Sequence, residues 1–501
     1  MSILKKPTIW LTIILLGTML FEKANAQNIN NADSTKKQLD KLMASKNPTD
    51  RQLLVGRLKA LAASGIENNM SIAGSYYFMI KNAKASDSVF TAEIQKFPKG
   101  LEARIRTQQA ISRIKSLPEM EKAYYSFVKS FPPENYPKLP FGEDRLPYDR
   151  LRSGLAIGYA KEKNVAKASY YASLLDADFW KVRSYGDIAE AFYASGDLAN
   201  ATLYQQKAVE SAKPYAEGEM GNSITAGFAI RGYPGACDIY AKMLYEQKKY
   251  SEALKYIETA ILSTVASRTD FNYTYGRILT ALNRYQQAFD RMEAVVKSGE
   301  ANNEMSELFK FLYIKIKGSD TGLDTYEADI RKGVADNMRK RLTKSILNEP
   351  AANFTLTDLQ GNRISLSDLK GKVVILDFWA TWCVPCKASF PAMQMAVNKY
   401  KNDPDVKFLF IHTWERSATA IADARTYIDS MKYNFQVLMD MKDPETKANK
   451  VVDSYKVSSI PTKFVIDGNG NIRFRLTGFD GSNEAAVDEI SMMVDIVNAK
   501  K

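Results

Sequence analysis

At 501 residues the chain is long enough for two or more domains. Three cysteines in that length exclude a fold built on disulfides. The formal net charge of +12 is spread over lysines scattered through helical stretches, with no concentrated basic block, so it reads as a solvated surface and nucleic-acid binding is not expected.

The chain opens with Lys5 and Lys6, an apolar run from Ile9 to Phe21 and the small-residue triplet Ala24-Asn25-Ala26. That is the three-part pattern of a secretory signal peptide, residues 1–26, with cleavage after Ala26. The run is shorter than the roughly 20 residues a membrane span needs, and no cysteine follows the small residues to carry a lipid. An uncleaved anchor is the alternative. Export to an oxidising, periplasmic compartment is the expectation.

Residues 27–344 read as α-helical, with Ala- and Tyr-rich amphipathic stretches joined by short breaks. Phe97-Pro98 and Phe131-Pro132 close similar helices 34 residues apart, the tetratricopeptide period. Further on, the small residues Ala168, Ala201, Ala253 and Ala288 each begin a second helix, at intervals of 33, 52 and 35 residues. The long interval implies an insertion, placed at Lys213 to Pro234. Small residues let paired helices approach and the aromatics fill the space between hairpins, which predicts a degenerate TPR-like array, an irregular bundle being the alternative. Such an array presents a concave surface on which a partner or client could be held. Cys237, beside Pro234-Gly235, reads as a small apolar filler; exchange with a distant thiol is the sharper alternative.

From residue 345 to 501 the pattern changes to alternating strand and helix. Val373 to Leu376 is a β-branched run that predicts a buried strand, and Pro385 to Tyr400 has helical composition. Between them lies Asp377-Phe378-Trp379-Ala380-Thr381-Trp382-Cys383-Val384-Pro385-Cys386. Two cysteines three apart at the start of a helix are a redox signature, because the helix N-terminus favours a thiolate and lowers the first cysteine's pKa from about 8.5. Cys383 is expected to be an exposed attacking sulfur and Cys386 the resolving one, with Trp382 shaping access. Asp377, in the strand beneath, is the candidate proton acceptor, since burial raises a carboxylate toward the range of a general base. A capped polar strand residue is its alternative.

Two other readings of the cysteines are weaker. Cys237, Cys383, Cys386 and His412 form a formal zinc set, but Cys237 lies 146 residues before Cys383 and His412 falls in a second apolar strand, Val406 to Thr413. No metal is expected. A purely structural disulfide across so short a loop would constrain little chain. Near the end, Val457-Ser458-Ser459-Ile460-Pro461-Thr462 precedes a strand at Lys463 to Ile466 and a tight turn at Asp467-Gly468-Asn469-Gly470. Ile460, Pro461 and Thr462 are the candidate client-binding loop; whether the Ile460-Pro461 bond is cis cannot be read from sequence.

These motifs together resemble the TlpA/ResA-like thiol–disulfide oxidoreductases of the thioredoxin fold, over about residues 346 to 499. Phe354-Thr355-Leu356, Gly361, Ile364-Ser365-Leu366 and Leu369-Lys370-Gly371-Lys372 resemble that family's N-terminal hairpin. The run Phe378 to Cys383 with Pro385-Cys386 matches its active site, Pro391 its helix-kinking proline, and Ile460-Pro461-Thr462 its cis-proline loop. Ser417 to Leu438 resembles the insertion of this subgroup. Two positions depart from the pattern: Ser389 stands where many relatives carry an acid, and Asp377 corresponds to thioredoxin's buried aspartate. The resemblance implies an exported enzyme that reduces or exchanges disulfides of protein clients through a redox-active Cys383–Cys386 disulfide, without other cofactor. In an oxidising compartment such a dithiol stays reduced only if a donor restores it, so a membrane-linked electron donor is the expectation from compartment alone. Val384-Pro385 adds no charge, so a potential nearer thioredoxin's, about −270 mV, is expected than DsbA's, about −120 mV. Two rivals remain: a helical-repeat binding or assembly protein with an accessory redox domain, and a thioredoxin-fold thiol peroxidase.

Overall fold

The computed structural model describes residues 34–136, 143–219, 224–264, 268–415, 417, 419–446, 448–479 and 483–499. The leader expected at 1–26, and part of the insertion placed at Lys213–Pro234, lie outside them. The chain divides into two compact units, Met1–Ala236 and Cys237–Lys501.

The first unit is helical throughout its described residues, and its helices come as hairpins joined by one recurrent turn. Helices starting at Ala83, Val165 and Leu198 in this unit, and at Tyr250 and Tyr285 in the second, each follow a residue in the left-handed region two positions earlier. These residues are Lys81, Lys163, Gly196, Lys248 and Asn283, with φ between 59° and 84°. A left-handed residue reverses the chain in the fewest steps, which is why the turns stay short. Asn82, Asn164 and Asp197 then cap the following helix by accepting the N–H of Ala85, Lys167 and Asn200. Ala168, Ala201, Ala253 and Ala288 are all fully buried three residues into their helices, as small residues at a close crossing must be.

The same geometry exposes a hairpin the sequence pattern did not reveal, Glu67–Met79 with Ala83–Lys96, where buried Ser86 replaces the alanine and donates to the Gly74 carbonyl at 2.8 Å. Phe97 and Phe131 end two 14-residue helices with nearly the same backbone angles, φ −124° and −128° with ψ 72° in both. The long interval between Ala201 and Ala253 is taken up as helix: Leu198–Ala216 and Ile224–Glu246 run to 19 and 23 residues and enclose Pro214 and Pro234. Cys237 lies in the second of them and is fully buried.

The second unit continues with helices to Lys344 and then builds an eight-stranded sheet. In chain order its strands are β1 Glu349–Pro350, β2 Thr355–Asp358, β3 Arg363–Ser365, β4 Val373–Trp379, β5 Val406–His412, β6 Val437–Met439, β7 Thr462–Ile466 and β8 Asn471–Thr477. They lie side by side as β1-β8-β7-β4-β5-β6-β2-β3. Central β4 runs parallel to β5 and antiparallel to β7, and all seven of its residues are buried, as expected for a strand covered on both faces.

Alternation along β4 sends Val374, Leu376 and Phe378 into one core, with Phe464 and Ile411. Val373, Ile375 and Trp379 enter the other, under the helices Val384–Lys399, Ala420–Ser430 and Asn483–Asn498. In this second core Phe390 meets Phe435 edge-on at 5.1 Å, and Phe435 stacks on Phe410 at 3.8 Å. Truncating an aromatic so enclosed costs about 3–5 kcal/mol. The helix Leu323–Lys344 is tied to the sheet region: Leu342 enters the same core, and Arg341 reaches Glu489 on Asn483–Asn498 at 2.8 Å.

Candidate active site

The register of β4 decides what lies beneath the cysteines. Asp377 falls on the face of Val373, Ile375 and Trp379, the side covered by the helix Val384–Lys399. Two residues after β4 ends, the chain is pinned by Glu415. Its Oε2 accepts the Thr381 backbone N–H at 3.2 Å and the Thr381 hydroxyl, and lies 3.3 Å from His412 Nε2. His412 is the last residue of β5, 1% exposed, with its ring 4.8 Å from that of Trp379; burial pushes its pKa down, so it is neutral near pH 7.

Cys383 is the N-cap of the helix Val384–Lys399, and Cys383 and Cys386 form a disulfide with their Cα atoms 5.3 Å apart. The Cys386 N–H points at Cys383 Sγ, 3.2 Å away. This N–H is one of the unsatisfied donors of the helix start, and it would meet a thiolate on Cys383 once the disulfide opens. Pro391 sits inside the same helix.

The Ile460-Pro461 peptide bond is cis, and the Ile460 carbonyl oxygen lies 3.7 Å from Cys383 Sγ. Four of the expected site residues, Cys383, Cys386, Ile460 and Pro461, are thus gathered in one place. Trp382, 41% exposed, stands beside them and donates from Nε1 to the Trp414 carbonyl at 3.1 Å. Val384 is 71% exposed.

Two expectations are corrected here. Cys383 is not an exposed sulfur: the residue is 2% accessible in the disulfide form, because it packs into the core of Trp379, Ala380 and Phe390 and under the Ile460 carbonyl. Any approach to it must pass the rim formed by Trp382, Val384 and Ile460. Thr462 is not a surface contact either. It is 3% accessible and its hydroxyl turns inward, donating to the Ser459 carbonyl at 2.7 Å, so it holds the proline loop to its own strand.

Asp377 is 1% accessible, and among the described residues neither carboxylate oxygen accepts a well-formed hydrogen bond. Its cationic neighbour is Lys463, directly opposite on β7, with Nζ 3.3 Å from Oδ2. Burial drives the Asp377 pKa above its ordinary 3.8, against the pull of Lys463. Lys463 Nζ also donates to Ser389 Oγ at 3.4 Å, and the Ser389 hydroxyl donates to the Cys386 carbonyl at 2.8 Å. A buried polar line therefore runs from Asp377 through Lys463 and Ser389 to the backbone of the second cysteine.

Sequence reasoning missed Lys463 and Glu415 as parts of this site. The signal for Lys463 was present, a lysine at the head of an apolar strand that must pair with the strand carrying Asp377, but only the register makes the two opposite. Among the described residues no group of His, Cys, Asp and Glu is arranged to hold a metal ion, and no helix is long and apolar enough to cross a membrane.

Residues 347–475 match the AhpC/TSA family. The chain is similar to the thiol-disulfide oxidoreductase ResA of Bacillus thuringiensis, 32% identical over 171 residues that are 34% of this chain and 87% of that protein. ResA of Bacillus subtilis is 40% identical over 130 residues, 26% of this chain and 65% of its own. Among solved structures, the pneumococcal exposed lipoprotein thioredoxin Etrx1 from Streptococcus pneumoniae is 30% identical, covering 29% of this chain and 99% of that one, with a TM-score of 0.25.

Proposed function

The chain belongs to the ResA family of thiol–disulfide oxidoreductases, and from that premise we propose that Cys383 and Cys386 are its working pair, exchanging disulfides with protein clients outside the cytoplasm. The single observation that carries this reading is the placement of the Cys383–Cys386 disulfide on a helix N-terminus, with the Ile460 carbonyl oxygen 3.7 Å from Cys383 Sγ.

In the reductive direction the Cys383 thiolate attacks one sulfur of a client disulfide. A Cys383–client bond forms, and the other client sulfur leaves as a thiolate that takes a proton from water. Cys386 then loses its proton to the Asp377 carboxylate, directly or through a water, and attacks Cys383 Sγ. The Cys383–Cys386 bond closes, the client's second sulfur departs, and two electrons have moved to the client. Trp382 and the Ile460-Pro461 backbone flank the approach of a client peptide, and Thr462 holds that loop in place. Because the closed pair is so little accessible, the donor thiol that reopens it must displace this rim.

The leader pattern at residues 1–26 supports a periplasmic location, where a reduced pair would be oxidised unless a membrane-linked donor restored it. The uncharged Val384-Pro385 dipeptide supports a reductant with a potential nearer about −270 mV than −120 mV. The recurrent hairpins before residue 344 support a TPR-like surface that holds a client or partner.

Insulin reduction driven by dithiothreitol tests the reading, with Cys383→Ser as control and Cys386→Ala as a trap for mixed disulfides. Turbidity that stays flat for the wild type, or that is equal in the Cys383→Ser variant, would refute it. Equilibration with glutathione then separates reductant from oxidant.

A further inference from the structure

Seven residues other than glycine take a left-handed backbone among the described residues. Six of them, Lys81, Lys163, Lys248, Asn283, Lys432 and Lys456, fall two positions past the end of a helix, where such a residue closes the last turn and an exposed lysine or asparagine bears it. The seventh is Trp414, with φ 51°, and it follows a strand, since β5 ends at His412. An indole is bulky for that region, so the position carries strain that a glycine in the same turn would not.

The turn's own bonds do not need that ring. The Thr413 N–H donates to the Trp379 carbonyl at 2.9 Å, the Trp414 carbonyl accepts Trp382 Nε1 at 3.1 Å, and Glu415 holds Thr381. Any residue at 414 would offer the same carbonyl, so what the strain retains is the indole. It lies half-buried against the core of Phe378, Tyr455 and Val457, on which Ile460 also rests. One residue is thus tied through its ring to the core that carries the proline loop and through its carbonyl to Trp382, and these are two sides of the entrance to Cys383.

The surface around this entrance is apolar. Trp382 and Val384 are exposed, and so is Met441, two residues beyond the Met439 that pairs with His412. Cys383 lies sunk below this border, so a client must lay the residues that flank its disulfide on it.

We propose that Trp414 is a specificity-determining residue for the client: its indole, with Trp382 and Ile460, forms an apolar seat for an aromatic or large aliphatic side chain next to the client's disulfide. Extended apolar protein segments are then taken in preference to polar ones. The inference rests on the dithiol reading above and deepens it by naming the class of client.

The test uses the full chain, driven by dithiothreitol with its own background subtracted, and two disulfide-cyclised peptides that differ only in Phe or Ser beside one cysteine. The wild type is expected to favour the Phe peptide about tenfold in kcat/KM, chiefly through KM, because the seat binds the flanking side chain without taking part in the exchange. Trp414→Gly, whose backbone suits the turn, should cut that preference to about twofold while its melting temperature stays within about 3 °C of the wild type, relief of strain offsetting lost packing. Trp414→Phe should keep most of the preference. A tryptophan that merely shapes the fold would instead lower the melting temperature on substitution and leave the ratio between the peptides where it was. Should the Gly variant fail to fold, Trp414→Asn, which also tolerates a left-handed backbone, makes the same measurement.

A wild type that takes both peptides equally, a Gly or Asn variant that retains the full preference, or a Phe variant that loses it as Gly does, overturns the role of Trp414. A wild type that reduces neither peptide would instead defeat the dithiol reading, so the two failures are distinguishable.

Discussion

Asp149 in the helical unit and Asp377 in the sheet region are both aspartates closed off from solvent, yet they are held in opposite ways. Asp149 accepts the backbone N–H groups of Asp176 and Ala177, the latter at 2.8 Å, and pairs with Arg152 at 3.0 Å. It fastens the start of the helix Asp178–Ala194 to the helix Leu146–Lys161. Asp377 has a single cation off to one side and no well-formed hydrogen bond among the described residues. A satisfied carboxylate fastens chain to chain, whereas an unsatisfied one retains the capacity to take a proton. Asp440, in the sheet region, is of the first kind: it accepts Val451 N–H, Val452 N–H and the Thr413 hydroxyl, and caps a short helix.

The largest effect that could break this contrast is on chemistry. Cys386→Ala should lose turnover to background while accumulating mixed disulfides through Cys383, seen as bands on a non-reducing gel that dithiothreitol removes. Next is stability. Asp149→Ala strips two backbone donors and a partly buried guanidinium of their partner, so it should cost about 3 kcal/mol in denaturant unfolding. The same variant should leave the potential of the Cys383–Cys386 pair unchanged. If Asp149→Ala slowed the release of a client thiol as much as Asp377→Asn does, the division between fastening and working acids would fail.

The double variant Asp377→Leu/Lys463→Met sharpens the contrast from the other side. Replacing a buried, poorly satisfied ion pair by apolar side chains of similar size is expected to be neutral or to stabilise by roughly 1 kcal/mol, while the resolving step slows about 10- to 100-fold. Loss of stability on the scale of Asp149→Ala would show that Asp377 is fastening the fold after all.

How much of this was legible follows the same line. Local chemistry was readable: the cysteine pair, the strand before it, the proline loop and the acid at 377 all declare themselves over a few residues. The small residues that open each second helix were readable too, because a close helix crossing admits few side chains, and Ser86 escaped only because it is polar. What depends on register was not readable. Nothing in Thr462-Lys463-Phe464 says that Lys463 faces Asp377, since that is set by antiparallel pairing of strands 86 residues apart. The burial of Cys383 likewise follows from packing by Trp379, Phe390 and the Ile460 carbonyl, which come from three separate segments.

The smallest expected effect concerns pH, and it places an acid of each unit side by side. Burial raises Glu93 of the helical unit to about 7 and raises Asp377 above its ordinary 3.8. A carboxylate whose folded pKa lies above its unfolded one favours folding in its protonated form. Its contribution is complete below the unfolded value and is lost as pH rises through the folded one. Glu93→Gln should therefore flatten the decline in unfolding free energy between about pH 5 and 8, an effect on the order of 1 kcal/mol in denaturant titrations, and leave thiol release untouched. Asp377→Asn should flatten the decline that begins near pH 4 and also change the pH profile of thiol release. Glu93 accepts a hydrogen bond from Ser71 and sits among Glu67 and Glu102, with no sulfur to serve. Raised pKa alone is thus common to both units, and the function proposed above gives a step of the reaction to Asp377 alone.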